Sequence, residues 1–108
     1  MSIAKPQTDE YTKCVLVTGA VGFVGSHIAE TLLREEHVKV VAYDIFNSET
    51  TVSEEKKENA AILKETANMY ASYGASVHIV HGDIRDKEKI IETIKKYDVT
   101  ACVHVGGM

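Results

Sequence analysis

Three glycines stand at intervals of three in this 108-residue chain, Gly19, Gly22 and Gly25, directly after the apolar run Val15-Leu16-Val17. A glycine where a strand ends permits a sharp turn. One inside the loop lets backbone N–H groups come up to a pyrophosphate, and one in the first helical turn lets the helix lie close to a sheet. The free amides and partial positive charge at the start of that helix then face the anion. The spacing is T-G-x-x-G-x-x-G, a departure from the G-x-G-x-x-G dinucleotide fingerprint, and taken alone it also fits an ordinary tight strand-to-helix connection. Asp44, nineteen residues beyond Gly25, narrows the choice. A βαβ unit places there the residue that reads an adenosine ribose, although a strand-end aspartate can also do no more than cap a turn. A carboxylate at that point accepts hydrogen bonds from both ribose hydroxyls and repels a 2′-phosphate. Neither Ile45 nor Phe46 offers a cation to offset the repulsion, so the residues favour NAD over NADP.

Other residue types capable of chemistry form no such pattern. Cys14 and Cys102 fall in predicted strands, far from any C-x-x-C spacing, and read as buried reduced thiols. A register that aligns Thr18 with Val105 sets Cys14 opposite Ala101 and turns the two thiols to different faces, so no disulfide is expected. His104 reads as a strand-end core residue, and His27, His37, His78 and His81 share no ligand spacing, so no metal site is expected. Twelve basic against sixteen acidic residues give a net charge of -4 with no basic cluster, which points away from nucleic acid and from anionic membrane surfaces. No apolar run is long enough to span a bilayer, and Met1 to Tyr11 is polar without a hydrophobic core segment, so the cytoplasm is the expected compartment.

The elements that must position these residues alternate. Residues 1–12 hold the only proline, Pro6, lack periodicity and read as a flexible leader; the domain is expected to run from Lys13 to Met108. After the glycine turn, Val24, Ile28 and Leu32 recur at helical spacing, with Ala29 and Leu33 beside them, a stripe expected to cover one face of the sheet. That helix has no terminal glycine, so a left-handed Glu36 or His37 would cost on the order of 1 kcal/mol. A second strand, Val38 to Tyr43, leads to Asp44. Thr51-Val52-Ser53-Glu54 fits a capping box for a helix with Ala60, Leu63, Ala67 and Tyr70 on one stripe, closed by Gly74. Val77, Ile79 and Val80 make a third strand. Asp86 is an N-cap for a helix with Ile90, Ile91, Ile94 and Tyr97 facing inward, and Thr100 to Val105 is the fourth strand. This order predicts an α/β Rossmann-type parallel sheet, strand order 3-2-1-4, with helices on both faces. The glycine turn then lies at the switch point beside strand 4. Strand 4 is left as an apolar edge, so the domain is expected to be the N-terminal portion of a larger one, incomplete at its C-terminus.

Four segments carry a resemblance: 17–27 (VTGAVGFVGSH), 44–47 (DIFN), 81–86 (HGDIRD) and 103–107 (VHVGG). Together they resemble the extended short-chain dehydrogenase/reductase superfamily, in particular the NAD-dependent sugar-nucleotide epimerases and dehydratases. The second and third look most like UDP-glucose and UDP-glucuronate 4-epimerases. The resemblance implies that Phe23 and Val24 donate N–H groups to the pyrophosphate and that Asp44, with Asn47 in the same motif, holds the ribose side. It implies that Asp83 and Ile84 flank the adenine, and that Val105, Gly106 and Gly107 pass beside the pyrophosphate and the nicotinamide-side ribose. Relatives often carry asparagine at the position of Ile45 and alanine at Gly106 or Gly107, so those contacts differ here.

In that superfamily a tyrosine and a lysine four residues later move the proton. None of Tyr11, Tyr43, Tyr70, Tyr73 and Tyr97 is followed by such a lysine. The implied function is therefore the NAD-binding portion of a sugar-nucleotide epimerase or dehydratase, inactive on its own, with a UDP-sugar substrate belonging to the intact parent and a homodimeric parent among the possibilities. The alternative is a stand-alone, non-catalytic module that binds or senses NAD. A purely structural Rossmann-like domain fits poorly with glycines and Asp44 placed for a ligand.

Overall fold

The computed structural model describes residues 13–45 and 52–105. The leader, Phe46, Asn47, the capping residue Thr51 and the pair Gly106-Gly107 lie outside the described residues. Strand β1 (Cys14–Thr18) is followed by helix α1 (Phe23–Thr31), which continues as a wider π-type turn over Leu32–Glu36. Strand β2 (Lys39–Asp44), helix α2 (Val52–Met69), a short 3-10 turn (Ala71–Tyr73), strand β3 (Ser76–His81), helix α3 (Lys87–Tyr97) and strand β4 (Ala101–His104) complete the order. The four strands are parallel and run β3-β2-β1-β4, the predicted order.

The sheet is covered unequally. Val15, Val17, Val40 and Ala42 point to the side of α1 and α2, where Ala29, Leu33, Ala60, Leu63 and Ala67 meet them. Leu16, Val41 and Tyr43 point to the other side, against Ile90, Ile94 and Tyr97 of α3. Burying each of Leu16, Val17, Leu33, Val40, Val41 and Leu63 completely contributes about 1.5–3 kcal/mol relative to leaving it in water. The sheet and these two layers hold the C-terminal ends of β1 and β2 in place. Among the described residues, no helix is long and apolar enough to cross a membrane.

Several expectations are corrected. On α1, Ala29 and Leu33 enter the core as expected, together with Gly25, but Val24 is exposed, and Ile28 and Leu32 are only half-buried. The glycine turn draws α1 so close to β1 that small residues must line the contact. On α3, Ile91 is exposed, and Thr93 is buried, its hydroxyl donating to the Lys89 carbonyl at 2.7 Å. Gly74 closes the 3-10 turn after α2 and not the helix itself, with φ 104°.

Register also shifts by one residue. Thr18 pairs with His104 and Leu16 with Cys102, while Cys14 bonds to Thr100. Because side chains alternate along a strand, the shift moves Cys102 to the same face as Leu16 and Cys14. The two thiols are free but two pairs apart along the strands. Only Cys14 is buried; Cys102 is exposed on the edge strand. His104 is likewise exposed and not a core residue, its Nδ1 lying 2.8 Å from the Thr18 hydroxyl.

His37 takes the left-handed conformation (φ 54°) that ends the α1 segment. Its ring stacks on Tyr70 and Tyr73 at centroid distances of 5.4 and 4.8 Å, which offsets the backbone cost.

Candidate dinucleotide site

The glycine turn is built as its spacing predicts. Gly19 leaves β1 with φ 69°, a left-handed conformation that favours glycine, and its N–H donates to the Tyr43 carbonyl at 2.9 Å. A Cβ on Gly25 would stand 1.9 Å from the Gly19 carbonyl oxygen, so the helix can approach the turn this closely only without a side chain there. Gly22 is the N-cap of α1, and the first intrahelical bond is that of the Ser26 amide to the Gly22 carbonyl at 2.9 Å. The amides of Phe23, Val24 and Gly25 precede that bond and have no intrahelical acceptor. Among the described residues no side chain caps them, and no acidic residue occupies the first turn. An anion is the chemical partner this helix end fits.

Asp44 is buried at the end of β2, at 6% exposure. One carboxylate oxygen accepts the Val21 amide at 2.9 Å, joining the strand end to the glycine turn. The other lies 3.1 Å from the Lys56 ammonium, which also donates to the Ile45 carbonyl at 2.6 Å. One turn along α2, Asn59 donates to the Val21 carbonyl at 2.8 Å, so both polar groups of the Val21 backbone are held. A small cavity of about 70 Å³ opens here, lined by Thr18, Gly19, Tyr43, Asp44, Ile45, Gly82 and Ile84. Gly19, Asp44 and Ile84, read separately from the sequence, thus share one wall.

Asp83 behaves differently. Its carboxylate accepts the Arg85 amide at 2.8 Å and the Arg85 guanidinium at 2.7 and 3.1 Å. These bonds hold its carboxyl well below the usual range, at about 2. Its backbone carbonyl accepts the Tyr43 hydroxyl at 2.9 Å, and burial, followed by the charges of Asp86 and Asp83, pushes that phenol upward. A Cβ on Gly82 would come within 2.4 Å of the Tyr43 hydroxyl, so the same tyrosine also demands glycine there. Asp86 caps α3 as read, accepting the Lys89 amide at 3.1 Å. Val105 follows β4 with its amide 3.3 Å from the Thr18 carbonyl, beside the turn. Among the described residues no group of His, Cys, Asp and Glu is arranged to hold a metal ion.

Sequence reading missed Val21, Lys56, Asn59 and Tyr43. Lys56 and Asn59 are three apart on a helix and therefore share a face, a visible signal. Nothing local distinguished them from Lys57, which pairs outward with Glu54. The cation beside Asp44 comes from α2 and not from Ile45, directly after the strand, which offers none.

Residues 16–108 match the family model described as GDP-mannose 4,6 dehydratase. The chain belongs to that family. It is 35% identical over 91 residues to UDP-glucuronate 4-epimerase 1 of Arabidopsis thaliana, covering 84% of this chain and 18% of that one. It is 27% identical over 94 residues to a UDP-glucose 4-epimerase of Klebsiella pneumoniae, covering 87% of this chain and 58% of that protein. The UDP-glucose 4-epimerase of Neisseria gonorrhoeae matches over 94 residues, 24% of its length. The chain therefore spans between 18% and 58% of the length of these relatives. Among solved structures, UDP-glucuronic acid 4-epimerase from Bacillus cereus, in complex with UDP-glucuronic acid and NAD, superposes with a TM-score of 0.57 at 28% identity, covering 85% of this chain and 26% of that one.

Proposed function

We propose that this chain is the NAD-binding portion of a nucleotide-sugar epimerase or dehydratase. In this reading the amides of Phe23 and Val24 receive the pyrophosphate, Asp44 accepts from the adenosine ribose hydroxyls, and Ile84 covers the adenine. Asn47, Gly106 and Gly107 lie outside the described residues. The observation that carries the reading is the joining of the open start of α1 to the buried Asp44 carboxylate through Val21. The close approach of α1 to the turn that Gly25 allows, the amides at the start of that helix and the adjoining cavity fit a dinucleotide. Bound there, NAD would supply a hydride acceptor and donor for C4 of a sugar. This chain's residues bind and orient it, and no tyrosine here is followed by the lysine that would assist proton transfer. The Asp83 carboxylate, turned onto Arg85, supports a loop-bracing role more than an adenine contact.

Titration calorimetry of the full chain with NAD tests the reading. Saturable binding is expected, weakened on the order of tenfold or more in Asp44→Ala, because a hydrogen bond to a charged group is worth about 1.5–3 kcal/mol. No binding at millimolar NAD, or an unchanged Kd in the variant, overturns it.

A further inference from the structure

Helix α2 brings a cation to the buried carboxylate at the end of β2. Lys56 lies twelve residues beyond Asp44, and its ammonium is 3.1 Å from the carboxylate oxygen that Val21 does not use. The side chain is only 22% exposed, and its second bond, to the Ile45 carbonyl, anchors it at the end of β2. An ionised carboxylate offers about four lone-pair positions, more than its two partners among the described residues, Val21 and Lys56, occupy. An ammonium has three donors, and among the described residues two are engaged here. A bare carboxylate would repel a phosphate ester brought beside it. With an ammonium in contact, that charge is cancelled, and the flexible four-carbon stem lets the ammonium swing from the carboxylate to a phosphate oxygen. The Val21 amide continues to hold Asp44 when that happens.

We propose that Lys56 is a specificity-determining residue of the ribose edge and that through it the site accepts NADP as well as NAD, the ammonium passing from Asp44 to the 2′-phosphate. This inference rests on the dinucleotide reading above. Lys57 cannot take the part, since it pairs with Glu54 on the outward side of α2 at 3.8 Å.

The test is calorimetry of NAD and NADP with the full chain as wild type, Lys56→Gln and Lys56→Arg, each checked by circular dichroism for an intact fold. Wild type is expected to bind NADP within about tenfold of NAD. Lys56→Gln should weaken NADP about tenfold or more and NAD by less than about threefold, and Lys56→Arg should keep NADP binding near the wild-type value. NADP binding more than about tenfold weaker than NAD in wild type, or an equal effect of Lys56→Gln on both dinucleotides, overturns the inference while leaving NAD binding intact. If neither dinucleotide binds the wild type, the dinucleotide reading falls and the inference falls with it.

Discussion

Asp44 and Asp83 stand at the C-terminal ends of adjacent strands, and they are held in opposite ways. Asp44, with its side chain 6% exposed, is bonded to Val21 and Lys56, groups 23 and 12 residues away, and ties together the glycine turn, the end of β2 and the start of α2. Asp83, 30% exposed, is satisfied by Arg85 two residues on, whose own side chain is 86% exposed. The buried carboxylate therefore organises three elements, while the exposed one shapes its own loop. A charged group costs the most to disturb where its partners are buried with it, because water cannot replace them.

Removing the buried carboxylate should have the largest effect. Asp44→Ala leaves the Val21 amide without its acceptor, at a cost of about 1–3 kcal/mol, and strips Lys56 of its counter-charge. A fall in Tm on the order of 10 °C is expected by calorimetry or circular dichroism. A fall no larger than that of Arg85→Ala would break the contrast.

Tyr43 links the two sites, its ring buried beside Asp44 and its hydroxyl on the Asp83 carbonyl. Tyr43→Phe keeps the packing and removes one hydrogen bond, so a loss of about 1 kcal/mol is expected in urea unfolding, at unchanged m-value. A loss equal to that of Asp44→Ala would mean that the β3–α3 loop is as strongly coupled to the core as the glycine turn.

The smallest effect belongs to Asp83 and Arg85. The folded carboxyl titrates at about 2, below the ordinary value near 3.9, so its stabilising bonds are present above pH about 4 and are lost as pH falls through 2. Arg85→Ala should return the Asp83 midpoint toward 3.9 in a carboxyl NMR titration, with little change in Tm because the pair is exposed. A midpoint that stays near 2 in the variant would assign the shift to some other group.

The legible part of this molecule is local. The glycine triplet and the Asp86 cap are local patterns, the carboxylate at the strand end follows from βαβ spacing, and each appears where its pattern places it. Parallel order 3-2-1-4 follows as well, because right-handed crossovers leave few arrangements for alternating strands and helices. Residues 46–51 and 106–108, which carry Asn47, Gly106 and Gly107, lie outside the described residues.

Tertiary structure decided what depends on distance rather than on neighbours. The pairing of Thr18 with His104 instead of Val105 is a long-range register, and that single step moved Cys102 to the Cys14 side of the sheet. The inward face of α1 was set by the close approach that Gly25 allows, which favours Ala29 over Val24 at the contact. The cation at Asp44 came from α2, across a connection whose residue types carry no mark of where that helix will lie. Sequence alone determined the strand-turn-helix that fits a phosphate and the carboxylate that follows it, because those are properties of backbone freedom and spacing. Which charge meets that carboxylate is a property of packing, since an ammonium on a helix faces many directions until a sheet fixes one.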